Sequence, residues 1–320
     1  MADGKIRGTE MKKVWARLLF VTPLCACDAS TASVDAGDAA QVAVVDAQTD
    51  GNVADAPASV GTQATCEAYL AANPNPSGIP SVPANGTAQR TALLAAGGKL
   101  VAIDDRYFVV WIPKGYYTAK NRVLVLSLHG TAGYPEAEWN DWHANFESAG
   151  IAFAALAWEG GTNSTTSDSV AYDQLKRITS DLAKVCPTTD ARKWVMGFSV
   201  GGSLSFAVIV RDVADQKLFL GNIASSGMAW NPMASGTAMH PTVESAKGNA
   251  ASYAGATAWM YCGEKDITGT WVQCDAAVVA QTYVNTHGGT SVLLRDPKGE
   301  HGSLPKTPTE AKQLLDYLTK

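Results

Sequence analysis

The chain has 320 residues, a formal net charge of −5, 46% hydrophobic residues and 17% charged residues. That is enough apolar content to bury a sizeable core, which excludes a wholly disordered or fibrous chain. Much of that charge falls in residues 28–62, and the folded part is near neutral, which argues against a nucleic-acid partner.

Met11-Lys12-Lys13 and Arg17 form a basic patch, followed by the apolar run Leu18-Leu19-Phe20-Val21 and then Thr22-Pro23-Leu24-Cys25-Ala26-Cys27. This is the pattern of a secretory signal, too short to remain as a membrane-spanning helix. Leu24-Cys25-Ala26-Cys27 resembles a bacterial lipobox, in which Cys27 becomes the lipidated first residue. Residues 1–27 are therefore expected to be a leader. Met11 is its start and Met1 to Glu10 an extension, and the mature chain is held to a membrane in the periplasm or on the cell surface through Cys27. Residues 28–65 are rich in Ala, Asp, Val, Ser and Thr, with acids at Asp28, Asp35, Asp38, Asp46, Asp50 and Asp55. Such a stretch buries too little to offset its chain entropy and reads as a disordered tether.

Residues 66–320 suit one large α/β domain. Tyr107 to Ile112 reads as an early strand ending at Pro113. Arg122 to His129 and Ile151 to Trp158 are near-continuously apolar, as strands buried on both faces must be. Further strands are expected directly before Gly197, at Leu218 to Ser225, at Thr257 to Cys262 and at Val292-Leu293-Leu294. Helices fit between them: Glu136 to Ala149, a helix on Leu175, Ile178 and Leu182 with Asp168 or Ser169 as its cap, Gly201 to Ala214, Cys274 to His287, and one from Thr309. The alternation predicts a doubly wound, mostly parallel sheet with helices on both faces and no large lid domain.

Gly197-Phe198-Ser199-Val200-Gly201 follows the apolar run Trp194-Val195-Met196 and precedes a helix. Strand, Gly-x-Ser-x-Gly and helix together are the nucleophile elbow of α/β-hydrolases, with the serine on a strained turn and the helix amides aimed at developing negative charge. In that fold the partners follow in the order acid, then histidine, at strand ends. Asp266 lies after the Thr257–Cys262 strand, with Glu264 as the alternative acid. His301 lies between the last strand and the last helix. Ser199 thus reads as nucleophile, His301 as base and Asp266 as the group fixing the histidine tautomer. The oxyanion donors are expected to be the amides of Val200 and Thr131, the latter in His129-Gly130-Thr131-Ala132-Gly133; His129 itself reads as structural. Trp139, Trp142, Trp158 and Trp230 are expected in or near loops at strand ends, and Trp139, Trp158 and Trp230 are candidates to stack on an aromatic acyl group.

With Cys25 and Cys27 set aside, four cysteines allow three pairings. The preferred one joins Cys262 to Cys274, close in sequence, and Cys66 to Cys186. Their spacings do not suit a metal site, and no metal or cofactor is called for.

The layout resembles the exported esterases that include feruloyl esterases and short polyhydroxybutyrate depolymerase-like proteins. The resemblance rests on Tyr107 to Tyr116, on Leu128-His129-Gly130-Thr131-Ala132-Gly133, and on Asp181 to Cys186 leading to Gly197-Phe198-Ser199-Val200-Gly201-Gly202. Val200 stands where many relatives have Asn, Ala or Met, which leaves the backbone amide intact. The resemblance implies a serine esterase that forms an acyl-enzyme on Ser199 and acts on bulky, aromatic or polymeric esters, and the chain is expected to be a monomer. A serine peptidase or acyltransferase on the same triad, or a non-catalytic surface-binding lipoprotein, are the other readings.

Overall fold

The computed structural model describes residues 61–158, 168–229, 240–268 and 271–320. The leader, Cys27, nearly all of the tether and Trp230 lie outside the described residues.

The folded part begins before Cys66. Thr62 caps the helix Gln63–Ala71 (α1), its hydroxyl accepting from the Thr65 amide. Gly61 is buried, and its amide donates to Ala183 O. Helix Ala84–Ala95 (α2) follows, then the hairpin Lys99–Ile103 (β1) and Arg106–Trp111 (β2). Neither helix was foreseen: Ala, Asn, Gly and Thr give them little amphipathic signal. From there strand and helix alternate: Val123–Leu128 (β3), Pro135–Ala149 (α3), Ala152–Leu156 (β4), Asp168–Val185 (α4), Arg192–Phe198 (β5), Val200–Ala214 (α5), Gly221–Ser225 (β6), Pro241–Ser245 (α6) and Thr257–Gly263 (β7). A two-residue pair, Ile267–Thr268 (β8) and Trp271–Val272 (β9), precedes Gln273–Thr286 (α7), Thr290–Asp296 (β10) and Pro308–Thr319 (α8). Asp168, expected as a cap, is the first residue of α4. Its carboxylate instead takes Arg211 Nε at 2.7 Å and the hydroxyl of Thr242.

Eight strands form one sheet in the order β1-β2-β4-β3-β5-β6-β7-β10, antiparallel from β1 through β4 and parallel from there on. The inner strands are apolar on both faces because helices cover both. In β3, Val123 and Val125 pack with Trp139 and Phe146 of α3 and Leu314 of α8. Leu124 and Leu126 belong to the core of the opposite face, which also takes in Leu175 of α4, Phe206 of α5 and Ala277 of α7. Strand β3 lies between β4 and β5, so the connections leave it in opposite directions. The crevice at such a switch point, outside the carboxyl ends of the strands, is where this architecture binds ligands.

Two disulfides tie the domain. Cys66 of α1 bonds Cys186 beyond α4, and Cys262 of β7 bonds Cys274 of α7.

Candidate active site

Ser199 closes β5 and opens α5 with φ 53° and ψ −119°, a left-handed conformation that a non-glycine residue holds only at a cost of about 1–3 kcal/mol. The packing around the turn explains its glycines. A β-carbon on Gly197 would lie 2.1 Å from the Gly201 carbonyl oxygen, and one on Gly201 would lie 2.0 Å from that of Leu128. Only bare backbone fits such approaches. The Ser199 amide is spent on Ser225 O at 2.9 Å. Val200 is the first residue of α5, so its amide has no partner within the helix and belongs to the positive end of the helix dipole.

The turn after β3 runs alongside. A β-carbon on Gly130 would meet Cβ of Ser199 at 3.2 Å, which sets this turn against the serine, and Thr131 is exposed on it. His129 braces the turn from beneath. Its Nδ1 donates to Gly130 O at 2.8 Å, and its ring stacks on Trp158 at 5.5 Å. Burial pulls the His129 pKa down to about 4, so the ring stays neutral.

His301 sits in the loop after β10, its ring 4.9 Å from that of Phe198, the neighbour of Ser199. Its Nδ1 is 2.9 Å from Asp266 Oδ2 and 3.1 Å from Oδ1. A carboxylate can only accept, so Nδ1 carries the proton and Nε2 is left free to act as a base. Asp266 is buried in the turn after β7, its amide on Gly263 O. Glu264 instead turns away to Arg295 Nε at 3.2 Å. The loops of acid and histidine are locked together. Lys265 N donates to Gly299 O, and Asp296 accepts from the Tyr261 hydroxyl at 2.8 Å and from Lys298 N at 2.9 Å. The Gly302 amide, next to the imidazole, donates to Ser226 Oγ at 3.2 Å.

The tryptophans need correction. Trp139 is not on a loop. It lies in α3, 2% exposed, stacked on His143 at 4.5 Å and edge-on to Trp111. Trp158 is 6% exposed, and its Nε1 donates to His129 O at 3.0 Å. Neither presents an open face to a substrate. Trp158 supports the turn that carries Thr131, while Trp142, also buried, lines a cavity beside His301.

That cavity includes two residues the sequence reading passed over, Glu138 and Ser225. Glu138 precedes Trp142 by one helical turn and so shares its inward face. Ser127, the one hydroxyl in an otherwise apolar β3, donates to it at 3.3 Å. Among the described residues no three His, Cys, Asp or Glu side chains come together as a metal site.

No family model and no curated protein matches the chain. Its structure does have relatives. An esterase from Pyrobaculum calidifontis superposes with a TM-score of 0.54 at 14% identity, covering 73% of this chain and 88% of that one. Fungal esterases from Rhizomucor miehei give 0.53 at 14%, covering 81% and 97%. A thermostable esterase from Pseudomonas putida gives 0.54 at 13%, covering 82% and 98%. The fold is that of the α/β-hydrolases. Identities this low carry the fold and nothing finer. Within this fold the Ser199 turn follows β5, Asp266 follows β7 and His301 follows β10, each at the carboxyl end of its strand.

Proposed function

We propose that this protein is a serine hydrolase that cleaves carboxylic esters through an acyl-enzyme on Ser199. The observation that carries this reading is the Asp266–His301 pair beside the strained Ser199 turn, and solved esterases of the same fold support it. Ser199 Oγ attacks the ester carbonyl and passes its proton to His301 Nε2. Asp266 holds the tautomer that makes this possible and stabilises the imidazolium. The amides of Val200 and Thr131 receive the oxyanion. The imidazolium then protonates the leaving alcohol, and water repeats the sequence to free the acid.

The finer reading is an exported, monomeric enzyme for bulky, aromatic or polymeric esters, of feruloyl ester or polyester type. Two disulfides fit an oxidising compartment, and lipidation at Cys27 would tether the enzyme to a membrane. Among the described residues, the β6–β7 connection carries only α6 and a 3₁₀ turn, Ala246–Gly248, which fits an open cleft. With Trp139 and Trp158 buried, Trp230, outside the described residues, is the remaining candidate to stack on an aromatic acyl group. Incubation with p-nitrophenyl esters, feruloyl esters and peptide amides tests the reading. Turnover of the esters and not the amides is expected, and turnover of the amides alone would make it a peptidase.

A further inference from the structure

On the face of the sheet covered by α3 and α8, a cavity of about 130 Å³ opens at the carboxyl ends of β5 and β6, with Glu138, Asp141, Trp142, Ser225, His301 and Lys306 in its wall. Ser225 is 3% exposed, and its Oγ has no hydrogen-bond partner. A buried hydroxyl left unpaired costs about 1–3 kcal/mol, so a wall that keeps one is shaped for something that completes it. Glu138 is buried with the Ser127 hydroxyl as its partner, and burial pushes its pKa up to about 8. Near neutrality it is an uncharged acid that both donates and accepts. Asp141 and Lys306 add one charge of each sign. Such a wall offers donors and acceptors together and no net field for an ion, which is the complement of a neutral hydroxyl. At roughly 30 Å³ per liquid water, there is room for several waters or one short polyol.

His301 forms part of the same wall, as do Gly197 and Phe198, the two residues that lead into Ser199; Ser199 itself stands outside it. Any hydroxyl that attacks an acyl group on Ser199 must give its proton to His301, and so must come from a place His301 adjoins. We propose that this cavity is the holding site for the hydroxyl nucleophile that deacylates Ser199, water or the hydroxyl of a short polyol. The assignment rests on Ser199 being the acylated residue. In the step, the hydroxyl oxygen bonds the acyl carbon and its proton passes to His301 Nε2. The bond from that carbon to Ser199 Oγ breaks, and Oγ takes the proton back. The product is the free acid from water or a new ester from the polyol.

The test uses the full chain with p-nitrophenyl acetate, quenched in the steady state and weighed by mass spectrometry, with and without glycerol or n-propanol. Ser225→Val narrows the cavity and removes its unpaired hydroxyl, and Glu138→Leu removes its donor. Each is expected to slow deacylation at least tenfold more than acylation, so acetyl-Ser199 accumulates. Glu138→Gln, which keeps a neutral donor and acceptor, falls between these variants and the wild type. Glycerol should capture more acetyl than n-propanol at equal concentration, and Ser225→Val should erase that preference. A deacylation defect without the glycerol preference assigns the site to water alone. Wild-type acylation levels and partition in both Ser225→Val and Glu138→Leu would overturn the proposal while leaving Ser199 as nucleophile. No adduct on Ser199 in the wild type or in either variant while ester turnover continues would overturn both. If one variant does not fold, the other carries the comparison.

Discussion

Asp266 offers both carboxylate oxygens to Nδ1 of His301, at 2.9 and 3.1 Å, and the two side chains differ sharply in exposure, 3% for the acid and 43% for the imidazole. The fold therefore fixes the carboxylate and lets it hold a ring that faces solvent, the arrangement a base at the edge of a cleft requires. Asp266→Asn keeps the shape but presents an amide to Nδ1, which favours the wrong tautomer. Ester turnover is expected to fall on the order of ten-thousand-fold. Glu264→Gln loses only its exposed pairing with Arg295 and should stay within about threefold of wild type, since such surface pairs contribute about 1 kcal/mol or less. Steady-state kinetics on an activated ester separates the two, and the reverse ranking would move the acid to Glu264.

Ser199→Ala removes only the attacking oxygen. Loss of a triad nucleophile lowers turnover on the order of a million-fold, so activity persisting within about tenfold would mean that another residue attacks. The same position reports on strain. Alanine inherits φ 53°, whereas glycine adopts it freely. Ser199→Gly should therefore melt above Ser199→Ala by about 2–4 °C, the shift that roughly 1 kcal/mol gives in a domain of this size. Calorimetry of the two inactive variants reads the difference directly.

The strands and the elbow were legible in the sequence because their signals are local. A both-faces-apolar run such as Val123 to Leu126 has one reading, and Gly-x-Ser-x-Gly between a strand and a helix has nearly one. The meeting of Asp266 with His301 was expected from chain order alone, and the structure brings the two side chains to 2.9 Å. What the sequence hid depends on distant partners. Helix α2 is weakly amphipathic, and its contacts are distant in sequence: Leu93 is buried in the core, and Arg90 pairs with Glu136 of α3 at 2.7 Å. Trp139 falls inside the expected Glu136–Ala149 helix, but its neighbours Glu136 and Glu138 are acidic, so the sequence did not show that packing turns all three inward. Ser225 became notable only once its strand faced the cavity beside His301 with no partner for its hydroxyl.

The two disulfides should separate stability from turnover. Cys66–Cys186 spans 120 residues and Cys262–Cys274 spans 12. On loop-closure entropy the first contributes about 4–5 kcal/mol and the second about 3 kcal/mol. The short bridge, however, brackets the turn that carries Asp266. Alanine replacement of Cys66 and Cys186 together is expected to lower Tm more while leaving turnover nearly intact. Replacement of Cys262 and Cys274 should lower kcat several-fold at temperatures where the fold is retained. Equal effects on kcat would mean the short bridge does not position the acid.

Glu138 should make stability fall as pH rises. Burial is the main cause of its raised pKa, the nearby Asp141 adds to it, and the Ser127 hydroxyl opposes it, leaving a value of about 8 against 4.5 for the free side chain. Between those values the folded state keeps a proton that the unfolded chain releases, so each step up in pH favours unfolding. The contribution is nil below about pH 4.5 and complete above about pH 8. Glu138→Gln cannot ionise and keeps the neutral shape, so it removes this slope. Its Tm should match wild type within about 1–2 °C at pH 4.5 and exceed it by several degrees at pH 9, at roughly 2–4 °C per kcal/mol. Asp141, also raised chiefly by burial, keeps a smaller slope of the same sign in the variant. Calorimetric melts of both proteins from pH 4.5 to 9 provide the comparison. A Tm difference that stays constant across the range would mean that Glu138 is already ionised in the fold and offers the cavity a carboxylate instead of an O–H.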